Sequence, residues 1–327
     1  MAGKIAAMMC FLAGAWLPAN GQTKKLWHML KHADSLMMAR YHRGSFDTAY
    51  ITRPKTRWTL KGRINVSETQ LELKGMEENT PFRSEMTADY KSTVSFGVNY
   101  LGLAVSLSLN PAKLLGRYDD YELKLNSYGN KWGFDFVYQD ADNFNGWYEG
   151  GTTGRIELPE ETLKMKSINL NAYYVVNHRR FSYPAAFSQS YIQRRSAGSL
   201  LIGASGQWQW AKTNGNLESV LKMTNIGIGA GYAYNWVPAR NWLLHISALP
   251  TFIVYSNTSL RVDGDRVALH YHFPEVIITA RGAIVRQFGN MFVGTTTVFN
   301  FSNIGNQDNL AVFNSHMHSR LFVGFRL

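Results

Sequence analysis

One cysteine occurs in 327 residues, Cys10, and it lies in the first apolar segment. That excludes a disulfide framework and a cysteine-ligated metal site. Beyond Leu17 no run of about 18 apolar residues occurs, so no transmembrane helix is expected. Nucleic-acid motifs are absent too. The net charge of +11 is dispersed along the chain instead of gathered in one run, which argues against a nucleic-acid partner. Proline is sparse at nine residues, whereas 28 glycines and 13% aromatics favour an all-β protein. Hydrophobic residues make up 45% of the chain, too many for a disordered one. Mean hydropathy is slightly negative. That value is uninformative for a transmembrane barrel, whose strands alternate lipid-facing and lumen-facing residues.

Residues 1–21 read as a signal peptide. Lys4 precedes the apolar stretch Ile5 to Leu17, and Ala19, Asn20 and Gly21 are small residues before a cut at Gln22. Residues 22–56 read as a periplasmic helix and lead-in segment. Leu26, Leu30, Ala33 and Met37 recur at helical spacing among Lys24, Lys25, His28, Lys31 and Arg40, which predicts a short amphipathic helix over 23–40. Such a helix packs on the rest of the protein or enters a barrel as a plug.

From Arg57 the period becomes two. Leu60, Ile64 and Val66 alternate with Lys61, Arg63 and Asn65; Ile226, Ile228, Tyr232, Tyr234 and Trp236 alternate with Gly227, Gly229, Gly231, Ala233 and Asn235. Aromatics gather at the ends of the apolar faces, and the opposite faces are rich in Gly, Ser, Asn and charge. Those faces suit a wet lumen better than a soluble core. The chain closes on a strand with Phe325 and Leu327 facing outward. Residues 57–327 are thus expected to form a transmembrane antiparallel up-and-down β-barrel of about twelve strands in a bacterial outer membrane. A periplasmic sandwich is the competing fold. The N-terminus is placed in the periplasm, with long outer loops at 67–90, 111–119, 140–162, 212–220, 257–273 and 303–314. Tight turns are expected near 101–102, 127–130, 237–241 and 287–290.

One connection breaks the pattern. Residues 177–199 do not alternate, carry Pro184 in an aromatic first half, and hold Arg179, Arg180, Arg194 and Arg195. Parity puts this long segment on the periplasmic side, where connections should be short. Three readings stand: a solvated loop, a plug whose arginines pair with acidic lumen residues, or an anion or partner site at the mouth.

The segments Phe46 to Lys55, Arg180 to Phe187 and Gln189 to Ser199 resemble those of a Bacteroidota family of uncharacterised exported proteins, a domain of unknown function, over roughly residues 45 to 327. The resemblance implies an outer-membrane β-barrel and carries no catalytic residues.

No Gly-x-Ser-x-Gly elbow is present; Gly203-Ala204-Ser205-Gly206 has the wrong spacing. His316 and His318 share a strand face, but lack a clear third metal ligand, and His270 and His272 fall in an outer loop. Hence no metal, cofactor or enzymatic activity is expected. Facing the polar sides inward gives Lys61, Arg63, Lys124, Arg281, Arg320 and Arg326 against Glu122, Asp135 and Glu275. The candidate ligand-binding or plug residues are therefore Arg179, Arg180, Arg194, Arg195, Arg63, Arg281 and Arg320. The expected role is a narrow channel or solute-binding barrel. Its partners would be outer-membrane lipid, a small anionic solute and, during biogenesis, the barrel-assembly machinery. A lipid-modifying enzyme of the outer leaflet and a structural component of the envelope are the alternatives.

Overall fold

The computed structural model describes Ser35 and residues 45–77, 80–100, 103–109, 121–150, 154–213, 219–262, 265–267, 275–306 and 310–327. The expected signal peptide and amphipathic helix lie outside the described residues, Ser35 apart, as do His270 and His272. Residues from Phe46 to Leu327 form one compact unit.

Fifteen strands are found among the described residues. They are β1 (Ile51–Thr52), β2 (Trp58–Glu77), β3 (Thr80–Tyr100), β4 (Leu103–Leu109), β5 (Tyr121–Tyr128), β6 (Trp132–Gly150), β7 (Arg155–Val175), β8 (Ile192–Gln193), β9 (Ala197–Thr213), β10 (Ser219–Trp236), β11 (Trp242–Val262), β12 (Asp265–Val267), β13 (Val276–Phe288), β14 (Met291–Asn306) and β15 (Leu310–Arg326). A single helix, α1 (Tyr183–Phe187), lies between β7 and β8. The count exceeds the expected twelve or so because β12 and the two-residue strands β1 and β8 carry no readable alternation.

The large sheet runs β4-β3-β2-β15-β14-β13-β11-β10-β9-β7-β6-β5, with β12 on β11. Every pairing is antiparallel, and the last strand pairs with the first long one from Leu310↔Gly75 to Arg326↔Thr59. β3 also pairs with β6, from Phe82↔Gly150 to Ala88↔Phe144. The path of pairings from β3 through β15 to β6 therefore returns on itself.

Alternation sorts the two faces as the sequence reading has it, apolar out and polar in. Ile246 is 71% exposed, Trp132 64% and Leu200 59%, while Asn235, Gln209 and Thr279 are fully buried. Trp58 packs at a tilt on Tyr100, ring centroids 4.4 Å apart, and Trp132 on Tyr174 at 4.6 Å, near the end where the turns are tight.

Long outer loops are the point of difference. Most of 67–90, 140–162 and 303–314 is strand: β2 and β3 are separated by two residues, and both are 20 or 21 residues long. About 9–11 residues suffice to span a bilayer. Alternation fades in the sequence there because the inner face turns apolar. Leu71, Met86, Phe144, Leu163, Met165, Leu221, Leu310 and Val312 form a buried cluster at the loop end. With apolar residues on both faces, the period of two disappears.

Gly229 and Gly231 take inward positions on β10, where a Cβ would strike the main-chain oxygens of Pro250 and Ala248 on β11. Close backbone approach beside the register shift at Ile226/Gly227 requires glycine here. Gly231→Val should lose about 1–3 kcal/mol of stability. A lower midpoint for loss of the heat-modifiable folded band on urea titration is the measurement; an unchanged midpoint would show that β10 can move aside.

Candidate functional site: a plugged, cationic interior

The segment that breaks alternation is a plug. After β7 the chain turns through Val176–Arg180, with Asn177 Nδ2 donating to Gly198 O at 2.8 Å and Phe181 N to Asn177 O at 2.9 Å. Pro184 sits in the first turn of α1, where its missing N–H costs nothing. All five helix residues are buried, and Phe181, Tyr183 and Phe187 join a cluster with Tyr173, Leu201, Leu243, Leu249, Val285, Phe292 and Phe322 from the inner faces of the strands. Each ring so buried contributes about 2 kcal/mol. Because α1 buries all round, its sequence shows neither a strand nor an amphipathic helix period. The plug lies at the same end as the turns 237–241 and 289–290, as parity requires.

Its flanks are tied to the lead-in: Ile51 pairs with Gln193 and Thr52 with Ile192. Arg179, Arg180, Arg194 and Arg195 are all exposed. Arg180 Nε is 3.4 Å from Asp47 Oδ2, and the guanidiniums of Arg180 and Arg195 lie 5.1 and 5.9 Å from the Tyr50 ring. The expected pairing of these arginines with acidic lumen residues is therefore not what holds the plug. Burying four guanidiniums costs several kcal/mol per ion, and the segment instead keeps them at its corners.

Two interior cations hold the plug. Lys61 Nζ donates to Ser188 O and, at 2.8 Å, to Gln189 Oε1; Arg326 Nη2 donates to Gln189 O at 3.2 Å. Gln189 adopts a left-handed backbone (φ 55) and turns its amide back to Ala186 O at 2.7 Å, ending the helix.

A second cationic group sits on β2, β5 and β15. Lys124 Nζ is 2.8 Å from Glu122 Oε1, and His316 Nε2 is 3.7 Å from the same oxygen. Lys124 Nζ also lies 2.9 Å from His318 Nδ1, while Arg320 Nη2 is 3.2 Å from His318 Nε2. A neutral imidazole accepts at one nitrogen only, so one of these contacts sets donor against donor. Arg63 Nε is buried without an acceptor. Among the described residues, no salt bridge is found for Lys61, Arg63 or Arg320. Arg281 differs from the rest: its Nη2 is 2.6 Å from Asp135 Oδ2 and its side chain is fully buried. No group of three or more His, Cys, Asp or Glu among the described residues is placed to hold a metal ion.

The plug is also tied in by a chain of hydrogen bonds that the sequence reading missed. Tyr183 OH donates to Ser247 Oγ at 2.8 Å; Ser247 Oγ is 3.0 Å from His245 Nε2; His245 Nδ1 is 2.7 Å from Asn235 Oδ1. Asn235 Nδ2 donates to Ser182 O at 2.9 Å and to Gln193 Oε1 at 3.0 Å, which fixes the orientation of its amide. Burial pushes the Tyr183 phenol up from its ordinary pKa, keeping it a donor. The signal available in sequence was a His and a Ser two apart on the polar face of β11, with Asn on the polar face of the strand before.

An antiparallel sheet that is apolar outside, polar inside and paired back on itself is the architecture of the transmembrane β-barrel class. The chain belongs to the family described as a domain of unknown function (DUF4421), whose model matches residues 45–327. No curated protein matches the sequence. Among solved structures, the outer membrane protease OmpT from Escherichia coli is similar at 6% identity and a TM-score of 0.44, covering 84% of this chain and 98% of that one. The outer membrane protein OprG from Pseudomonas aeruginosa is similar at 10% identity and a TM-score of 0.28, covering 86% and 100%. The transport unit of the autotransporter AIDA-I from Escherichia coli is similar at 12% and 0.33, covering 90% and 97%.

Proposed function

We propose that this chain is a closed β-barrel of the Gram-negative outer membrane, plugged from its periplasmic end, whose interior binds or passes a small anionic solute. The family likeness would place it in Bacteroidota. The observation that carries the reading is the excess of inward cations. Lys61, Arg63, Lys124, Arg320 and Arg326 face the interior, with Glu122 drawn to Lys124 and Asp135 held by Arg281. The opposed donors at His318 and the unaccepted Arg63 Nε are relieved by an oxyanion, which brings acceptors and negative charge together. The outward apolar side chains on every long strand supply the lipid-facing surface.

Planar bilayers test the reading. The full-length chain should conduct little, and a variant lacking 178–195 should conduct with anions preferred over cations in a salt gradient. Arg63→Ser with Arg320→Ser should reduce that preference. A folded deletion variant that is silent, or cation-selective, would sink the proposal.

A further inference from the structure

The relay beneath the plug has the parts of an acyl-transfer site. Ser247 and His245 stand two apart on the inner face of β11, and Asn235 is the direct cross-strand partner of His245 on β10. Their spacing, 3.0 Å from Ser247 Oγ to His245 Nε2 and 2.7 Å from His245 Nδ1 to Asn235 Oδ1, is that of nucleophile, base and orienting acceptor. The Asn235 amide fixes the tautomer. Because its Nδ2 is committed to Ser182 O and Gln193 Oε1, its Oδ1 faces His245 and takes the Nδ1 proton. Nε2 is then left bare toward the serine hydroxyl.

A separate observation concerns the strand on the other side. Arg281 on β13 is the cross-strand partner of Ser247. Its side chain is fully buried, and while Nη2 binds Asp135, Nε and Nη1 have no acceptor. Arg281 also reaches the Tyr183 hydroxyl that donates to Ser247 Oγ, so with Tyr183 withdrawn its donors are turned toward the serine, which is what a tetrahedral oxyanion needs. The plug fills the space in front: Tyr183, Phe187 and Phe181 stand with ring centroids 5.0, 5.1 and 5.9 Å from that of His245. Withdrawal of those rings would leave a chamber walled by Leu201, Leu243, Leu249 and Phe292.

The geometry points to a latent serine esterase site: Ser247 as nucleophile, His245 as base, Asn235 as its orienting residue and Arg281 as oxyanion donor. It would act on an ester with an apolar acyl group and be shut by Tyr183. Ser247 Oγ bonds to the acyl carbon as its proton passes to His245 Nε2, and the carbonyl oxygen becomes an oxyanion facing Arg281. Collapse breaks the ester C–O bond, and the leaving alkoxide takes the proton from Nε2. Water, deprotonated by the same histidine, then cleaves the acyl-serine to release the acid and restore Ser247.

This inference is independent of anion selectivity, which rests on other side chains. The test is a fluorophosphonate, which loses fluoride on attack by an activated serine, applied to the full chain folded in detergent and mapped by peptide mass spectrometry. An adduct on Ser247 is expected in the wild type. It should form at least about tenfold faster in Tyr183→Phe, which frees Ser247 Oγ, and about a hundredfold slower in His245→Gln. Ser247→Ala should carry no adduct at that position, and hydrolysis of 4-nitrophenyl butyrate should follow the same ranking. Wild-type and Tyr183→Phe proteins that both show the folded band and stay unmodified at Ser247 would overturn the inference, leaving the relay as a latch for the plug. If Tyr183→Phe does not fold, Lys61→Met serves as the opening variant, and the wild-type result decides if neither folds.

Discussion

Asp135→Ala should cost about 3–5 kcal/mol of folding stability, the range for removing one partner of a buried ion pair. Asp135 and Arg281 are 6% and 2% exposed, so the guanidinium left behind has no water to turn to. Tyr128 OH also donates to Asp135, and Arg281 lies 5.2 Å from the Tyr173 ring, which gives a partial but not a compensating field. Urea titration of the protein in micelles, followed by the heat-modifiable band, measures the loss. Asp135→Ala combined with Arg281→Met should recover most of it, because the orphaned charge goes too. A single variant within about 1 kcal/mol of wild type would mean that water reaches the pair, as it does for exposed ion pairs.

This pair shows where reading the chain succeeds and where it stops. Alternation placed Asp135 and Arg281 on inner faces correctly, as it did Arg63, Arg320 and Lys61, because side-chain period is a local property of a strand. It could not say that Arg281 meets Asp135, since β13 and β6 are brought together only by the full circuit of pairings. Sequence groups Arg281 with the candidate anion-binding arginines; the fold pairs one edge of its guanidinium with Asp135 and leaves Nε and Nη1 open. The upper strands escaped for a local reason of the opposite kind: Phe144, Leu163 and Met165 face inward, and their hydrophobicity erased the polar half of the pattern.

The plug was legible as an interruption at 177–199, with insertion into the lumen as one of three readings. Its arginines drew attention because charge is conspicuous in a sequence, and they turn out to be the part that stays in water. Its buried apolar side chains include Phe181, Tyr183, Ala185, Ala186 and Phe187, residues that also suit a strand end. Lys61 and Arg326, 127 and 137 residues from the plug on either side, meet it through main-chain carbonyls that no side-chain pattern can announce.

Those two cations carry the remaining large prediction. Lys61→Met with Arg326→Met should raise the rate of trypsin cleavage within 179–195 by at least about a hundredfold. Hydrogen bonds from charged donors contribute about 1.5–3 kcal/mol each, so losing both anchors shifts the plug's opening equilibrium by two orders of magnitude or more. Cleavage tracks that equilibrium when opening is fast relative to proteolysis. The scissile arginines are already exposed, but the bond after Arg180 leads straight into Phe181, which is fully buried, so the protease must wait for the plug to leave. Methionine keeps much of the length and apolar contact of both side chains, so what is removed is the charge and, with it, the cation–π contact each makes on Phe292 at 5.5 and 4.6 Å. Equal cleavage rates would show that the buried aromatic cluster holds the plug without the cations. The site beneath it would then open only by loss of Phe181, Tyr183 and Phe187 from that cluster, a far steeper barrier than release of two polar anchors.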